Sequence, residues 1–145
     1  LKQIIKVIND SKASEFKKLR DKSLILVGFS GGFRRSELVA ITRDDVEFVN
    51  EGVKIFVKKS KSDQSGEGMT KAIPSFKYTD YCPVENLRLW MFENRNDRIF
   101  AISDKNVALI IKKYALTNKW SFYVFRTKPT RLYKFPKICI DFFIY

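Results

Sequence analysis

The sequence predicts an α+β domain that is mainly helical and contains a small antiparallel sheet of about three strands. Apolar residues recur at helical spacing in several segments, whereas alternation of apolar and polar residues is confined to residues 46–73. The composition, with 45% hydrophobic and 30% charged residues over 145 positions, is sufficient for one compact core.

The first third of the chain predicts three helices. Residues 1–13 carry isoleucines at helical spacing, and Ser14 is a suitable N-cap for a largely buried helix that runs to Val27. Three glycines then weaken that helix: Gly28, Gly31 and Gly32. Residues 34–41 predict a short third helix.

Three strands are predicted next. Residues 46–48 and 53–58 alternate, and the turn Asn50-Glu51-Gly52 between them suits a hairpin with glycine at a left-handed bulge position. After a polar segment, residues 70–73 predict a third strand that Pro74 ends.

Two further helices are predicted, one opened by Pro83 and one capped by Asp104. From Thr117 the composition changes, because nine of the last 29 residues are aromatic and no helical or strand period persists. We therefore predict a domain over residues 1–116 and a divergent aromatic and basic tail over residues 117–145, either disordered or out of reading frame.

The formal charge of +12 favours a polyanionic partner, and nucleic acid is the commonest one for a domain of this kind. These 145 residues contain no histidine, which excludes histidine zinc sites and Ser-His triads within them. We expect Cys82 and Cys139 to be buried thiols, and we expect no metal or other cofactor. No stretch approaches the roughly 20 apolar residues that span a bilayer.

The most informative segment is Gly-Gly-Phe-Arg-Arg-Ser-Glu-Leu, residues 31–38. A nucleotide-binding loop would require Gly-Lys-Ser/Thr or three suitably spaced glycines, and neither is present. The segment instead resembles the first arginine box of tyrosine recombinases (the phage integrase family), Gly-x-Arg-x-Ser-Glu-Leu. The apolar helix before it and the hairpin after it extend the resemblance over about residues 14–116.

The resemblance implies the fold of a DNA breaking-rejoining catalytic domain and a metal-free reaction in which a tyrosine attacks a DNA phosphodiester. Arg34 matches the first catalytic arginine, although a surface salt bridge with Glu37 is the alternative. Glu37 matches a supporting acidic residue, with a helix-surface charge as its alternative. Lys61 corresponds best to the catalytic lysine, and Lys59 competes with it. Arginine suits phosphate because its planar fork stays charged.

Other basic residues are predicted to contact the DNA backbone: Arg35, Lys58 and Lys59. Residues 120–126 stand where the family carries its second arginine box. This makes Arg126 the candidate second arginine, with a basic residue in a disordered tail as the alternative. Neither Tyr133 nor Tyr145 lies in a context that resembles the family's nucleophile. We therefore expect a chain that is truncated or frameshifted after about residue 117 and that is catalytically incomplete.

The expected function is that of a DNA-binding fragment of a site-specific recombinase or integrase acting in DNA recombination and integration. The alternative is a non-catalytic basic module that modulates a full-length recombinase. The expected partners are double-stranded DNA and other recombinase protomers, with no membrane. The resemblance implies a mobile genetic element and a cytoplasmic, nucleoid-associated location in a bacterium.

Overall fold

The computed structural model describes residues 1–58, 67–77 and 79–115. Five α-helices and three strands are present in these ranges, together with short 3-10 turns at Arg43–Asp45 and Thr79–Tyr81. The elements, in chain order, are α1 (Lys2–Asp10), α2 (Glu15–Ser30), α3 (Arg35–Ala40), β1 (Val46–Val49), β2 (Gly52–Val57), β3 (Met69–Pro74), α4 (Pro83–Glu93) and α5 (Asp104–Ala115). The predicted class, mainly helical with a small sheet, is confirmed for these residues.

The sheet is antiparallel with the order β1-β2-β3, so β1 and β3 are its edges. Val53, Ile55 and Val57 of β2 are buried, whereas Lys54 and Phe56 between them are exposed. This is the alternation expected of a sheet that packs on a core through one face. Ile55 lies directly opposite Lys71 of β3 in the register, which places a lysine on the face that packs on the core.

Two details of the predicted turns and caps are wrong. Gly52 does not occupy a left-handed bulge; it pairs with Val49 in β1 and with Pro74 in β3. A Cβ at this position would lie 2.1 Å from the carbonyl oxygen of Ile73, so glycine is required by the close approach of two backbones. Asp104 is the first residue of α5 rather than its cap, because the Oγ of Ser103 accepts a hydrogen bond from the backbone N–H of Asn106.

The main core lies between the sheet and helices α2 and α4. Buried side chains from all of these elements form one cluster that includes Leu24, Ile55, Ile73, Leu87 and Trp90. The indole N–H of Trp90 donates to the carbonyl oxygen of Ile99 at 2.8 Å. This buried donor is therefore satisfied, and it ties α4 to the segment that leads into α5.

A second cluster joins α1, α2 and α5 through five buried side chains: Ile5, Ile8, Ile25, Leu26 and Tyr114. The Tyr114 hydroxyl donates to the buried carboxylate of Asp21 at 3.0 Å. Arg20 donates to the other oxygen of the same carboxylate from Nε and Nη2, at 2.9 and 2.8 Å. The guanidinium of Arg20 thus compensates the buried charge of Asp21, and the hydrogen bond from Tyr114 holds α5 against α2.

Candidate nucleic-acid interface

The arginine box begins where α2 ends. The N–H of Phe33 donates to the carbonyl oxygen of Gly28, and the N–H of Gly32 donates to that of Phe29. Gly32 has φ +57°, in the left-handed region. These features form a Schellman motif. Glycine at the left-handed position ends the helix, and the last carbonyl groups of the helix accept hydrogen bonds from the residues of the turn. Gly28 lies inside α2, which continues to Ser30, so the helix ends at Gly31 and Gly32 and not at Gly28.

Arg34 follows this turn as the N-cap residue of α3. Its backbone N–H donates to Oε2 of Glu37 at 2.9 Å, which is one half of a capping box. Its guanidinium Nη1 lies 3.4 Å from Oε1 of the same carboxylate. Glu37 therefore holds both the backbone and the side chain of Arg34. The Arg34 side chain is 35% exposed, so it can reach a ligand outside the protein.

The side chain of Glu37 is only 4% exposed. A buried carboxylate is strongly destabilised unless charges and hydrogen bonds compensate it. Glu37 is therefore a buried structural anion, and its alternative interpretation as a helix-surface charge is wrong.

Lys71 supplies a second cation to Glu37, and the sequence analysis missed it. Its Nζ lies 3.2 Å from Oε2 of Glu37 and donates to the carbonyl oxygen of Gly32 at 2.9 Å. The same ammonium lies 4.3 Å from the centroid of the Phe33 ring, within cation–π distance. The alternation of residues along the strand could have identified Lys71 from the sequence. Lys71 is two residues from buried Ile73, so the two side chains lie on the same face of β3.

We call Arg34, Glu37 and Lys71 the box cluster. Two cations surround one buried carboxylate, which leaves a formal charge of +1 with the partly exposed guanidinium at its outer side. An arginine oriented in this way can donate to two oxygens of a phosphate group. The arrangement suits the recognition of a phosphodiester.

Two of the other predicted DNA-binding residues, Arg35 and Lys58, are among the residues that the structure describes. Arg35 is partly buried, and its Nε is a buried donor without a hydrogen-bond partner among the residues that the structure describes. Lys58 stands just after β2 with its side chain 60% exposed, and it forms an ion pair with Asp45 at 3.0 Å. Lys59, Lys61 and Arg126 lie outside the described residues, as do Cys139 and the predicted tail 117–145.

The Asp45 carboxylate organises the turn between α3 and β1. Its Oδ2 accepts from the backbone N–H and the hydroxyl of Thr42, at 2.9 and 2.7 Å, and its Oδ1 faces Lys58. Burial alone would raise the pKa of Asp45. The hydrogen bonds from Thr42 and Lys58, together with the charge of Lys58, outweigh that effect and hold the pKa below its ordinary value.

Within residues 1–58, 67–77 and 79–115, no cluster of three or more cysteine, aspartate or glutamate side chains could hold a metal ion. None of the helices in these ranges is both long and apolar enough to cross a bilayer. Cys82 is buried and unpaired, as predicted.

The chain is similar to a curated protein of Selenomonas ruminantium described as an integrase/recombinase xerD homolog. The two are 44% identical over 110 residues, which covers 66% of this chain and 32% of the relative. This similarity supports a tyrosine recombinase family for the chain. No protein-family model matches it. The chain spans about a third of the length of the Selenomonas ruminantium relative. The described fold is compatible with a part of a recombinase domain.

Proposed function

We propose that this chain binds double-stranded DNA as part of a site-specific tyrosine recombinase, with Arg34 contacting a backbone phosphate. The observation that carries the proposal is the arrangement of Arg34 on Glu37. A buried carboxylate holds the residue at two points while its guanidinium remains partly exposed. The similarity to the xerD homolog supports recombination as the process, and the charge of +12 supports a polyanionic partner.

In the proposed role, Arg34 neutralises charge that builds up on the phosphate during strand exchange. A preoriented cation stabilises such charge without having to reorganise during the reaction. Lys61, or Lys59 in its place, and Arg126 are the proposed additional cations. Arg35 and Lys58 are proposed to contact neighbouring phosphates, which contributes affinity but no sequence preference.

We further propose that the nucleophile of strand cleavage is not among the tyrosines of these 145 residues. Tyr114 supports this proposal, because it is 1% exposed and its hydroxyl donates to Asp21. Tyr133 and Tyr145 are proposed to be non-catalytic on the sequence context given above.

Fluorescence anisotropy with a labelled DNA duplex, titrated between about 50 and 200 mM salt, tests the binding proposal. We expect affinity to fall steeply with salt, and Arg34→Ala to lower the slope of log affinity against log salt by about 1. Arg95→Ala is the matched control, since it removes the same side chain from an exposed position after α4. Equal effects of the two substitutions, or an absence of binding at low salt, would contradict the proposal.

A nicked suicide duplex that traps a covalent protein–DNA link tests the proposal on cleavage. We expect binding without a covalent adduct that survives denaturation. An adduct whose mass maps to Tyr133 or Tyr145 would show that the chain carries its own nucleophile.

A further inference from the structure

Among the described residues, the Lys71 ammonium makes three contacts, all with the arginine box. Its ammonium donates to the carbonyl oxygen of Gly32, lies over the Phe33 ring and pairs with the carboxylate of Glu37. Its side chain is only 17% exposed. The lysine therefore bridges strand β3 to the turn that precedes Arg34, across 34 positions in sequence from Glu37.

The partial burial of Lys71 separates it from the surface lysines of the sheet. Lys54 on the neighbouring strand is 49% exposed and lies 4.0 Å from Glu47, which is itself 69% exposed. An ion pair of that kind contributes little, because solvent screens it. Lys71 faces the core opposite Ile55 and contacts a carboxylate that is 4% exposed, where screening is weak.

The charge of Lys71 changes what Glu37 does to Arg34. With Lys71 present, two cations share the carboxylate and the box cluster carries a net +1. Without it, the carboxylate would lose the ammonium that contacts Oε2, the oxygen that also accepts from the backbone N–H of Arg34. Glu37 would then be held less firmly, so the Arg34 guanidinium beside Oε1 would become less ordered and would face a phosphate for less of the time.

We propose that Lys71 is a positioning residue that acts through Glu37 and the Gly32 carbonyl to direct the Arg34 guanidinium outward, toward a DNA phosphate. The outward role of Arg34 rests on the proposed function, whereas the coupling between Lys71 and Arg34 does not. Lys71 itself is not proposed to contact DNA.

The first test measures the order of the Arg34 side chain in the protein without DNA. The Nε–Hε signal of Arg34, assigned by its loss in Arg34→Lys, reports this order through its ¹⁵N heteronuclear NOE. We expect the NOE to fall in Lys71→Met and in Lys71→Gln, to recover at least in part in Lys71→Arg, and to stay unchanged in the control Lys54→Met. Lys71→Gln retains a donor for the Gly32 carbonyl, so it separates the loss of charge from a disturbed turn. It also decides the test if Lys71→Met does not fold.

The second test is a double-mutant cycle on DNA affinity with Arg34→Ala and Lys71→Gln. If Lys71 acts through Arg34, the fold loss caused by Arg34→Ala should shrink in the Lys71→Gln background, with non-additivity of about threefold or more. Additive losses would mean that Lys71 acts independently of Arg34 and would overturn the proposal.

The two proposals can fail separately. An unchanged Arg34 NOE in folded Lys71→Met or Lys71→Gln overturns the positioning role, even if the protein binds DNA with the expected salt dependence. An absence of DNA binding together with a lowered NOE overturns the proposed function and leaves the coupling between Lys71 and Arg34 standing.

Discussion

The carboxylate of Glu37 accepts a hydrogen bond from the backbone N–H of Arg34 at 2.9 Å, and its other oxygen lies 3.4 Å from the guanidinium of the same residue. The buried side chain of Glu37 thus fixes both the start of α3 and the position of the Arg34 guanidinium. Short polar helices rarely form without such support, because nucleation of a helix is unfavourable.

Glu37→Gln removes the negative charge from the box cluster and leaves Arg34 and Lys71 facing a neutral amide. We expect the free energy of unfolding to fall by roughly 1–3 kcal/mol, since hydrogen bonds to a buried charge are lost while the partial exposure of Arg34 limits the effect. Urea unfolding followed by circular dichroism measures the change. Glu47→Gln, which alters an exposed pair, should stay within about 0.5 kcal/mol of the parent. Equal losses in the two variants would refute a structural role for Glu37.

Gly32→Ala tests the left-handed turn that ends α2. No heavy atom lies within 4 Å of a Cβ built at this position, so the substitution probes the backbone conformation alone. We expect a loss of about 1–2 kcal/mol, because a side chain with φ near +57° is strained. Gly32→Asn should lose less, since asparagine tolerates this region. Thermal unfolding of both variants measures the difference, and a neutral Gly32→Ala would contradict the assigned turn.

The lowered pKa of Asp45 predicts that the free energy of unfolding decreases at acid pH. Its pKa is lower in the folded protein than the ordinary 3.8, so the folded state binds fewer protons than the unfolded state in this range. The stabilisation is therefore fully present above the unfolded pKa and is lost as the pH falls through the folded pKa.

Urea unfolding at a series of pH values below about 5 measures this loss. Asp45→Asn should flatten the acid limb of the curve, and Lys58→Met should flatten it partly because it removes one cause of the shift. Lys54→Met, on strand β2 just before Lys58, should leave the contribution of Asp45 intact. An acid limb that is the same in Asp45→Asn as in the parent would sink this prediction.

Tyr114→Phe deletes one hydroxyl that donates to the buried carboxylate of Asp21. We expect unfolding to become easier by about 1–2 kcal/mol, because a hydrogen bond to a charged, buried acceptor is lost. Hydrogen exchange of the α5 amides should accelerate with it, since this contact holds α5 on α2. Tyr81→Phe, at a partly exposed tyrosine, is the control and should change stability little. Similar losses in both variants would argue against the contact.

The sequence predicted the elements well where the periodicity of apolar residues was clear. Alternation over Val53, Ile55 and Val57 predicted β2 and its buried face, and Pro83 was correctly predicted as the start of α4. Gly52 could not be understood in the same way, because the backbone that forbids a side chain there belongs to β3, more than twenty residues later.

For the candidate site, a salt bridge between Arg34 and Glu37 was the alternative that the local sequence left open, and the two residues do form an ion pair three positions apart. The local sequence did not predict that Glu37 is buried, since burial depends on the sheet that packs over it. Lys71 was missed for the same reason. Its contact with Glu37 joins two elements that only tertiary folding brings together. The roles predicted for the basic residues on DNA all stay predictions: Arg34, Arg35, Lys58, Lys59, Lys61 and Arg126.

The turn at Gly32 has a consequence for the direction in which the chain presents its cation. In a continued α2, each added residue would rotate the backbone by about 100° and advance it by about 1.5 Å. The N–H of Arg34 would then donate to the carbonyl oxygen of Ser30. Glu37 would no longer accept a hydrogen bond from that N–H. The absence of a side chain at Gly32, which permits this left-handed turn, therefore helps to set the direction in which the Arg34 guanidinium projects.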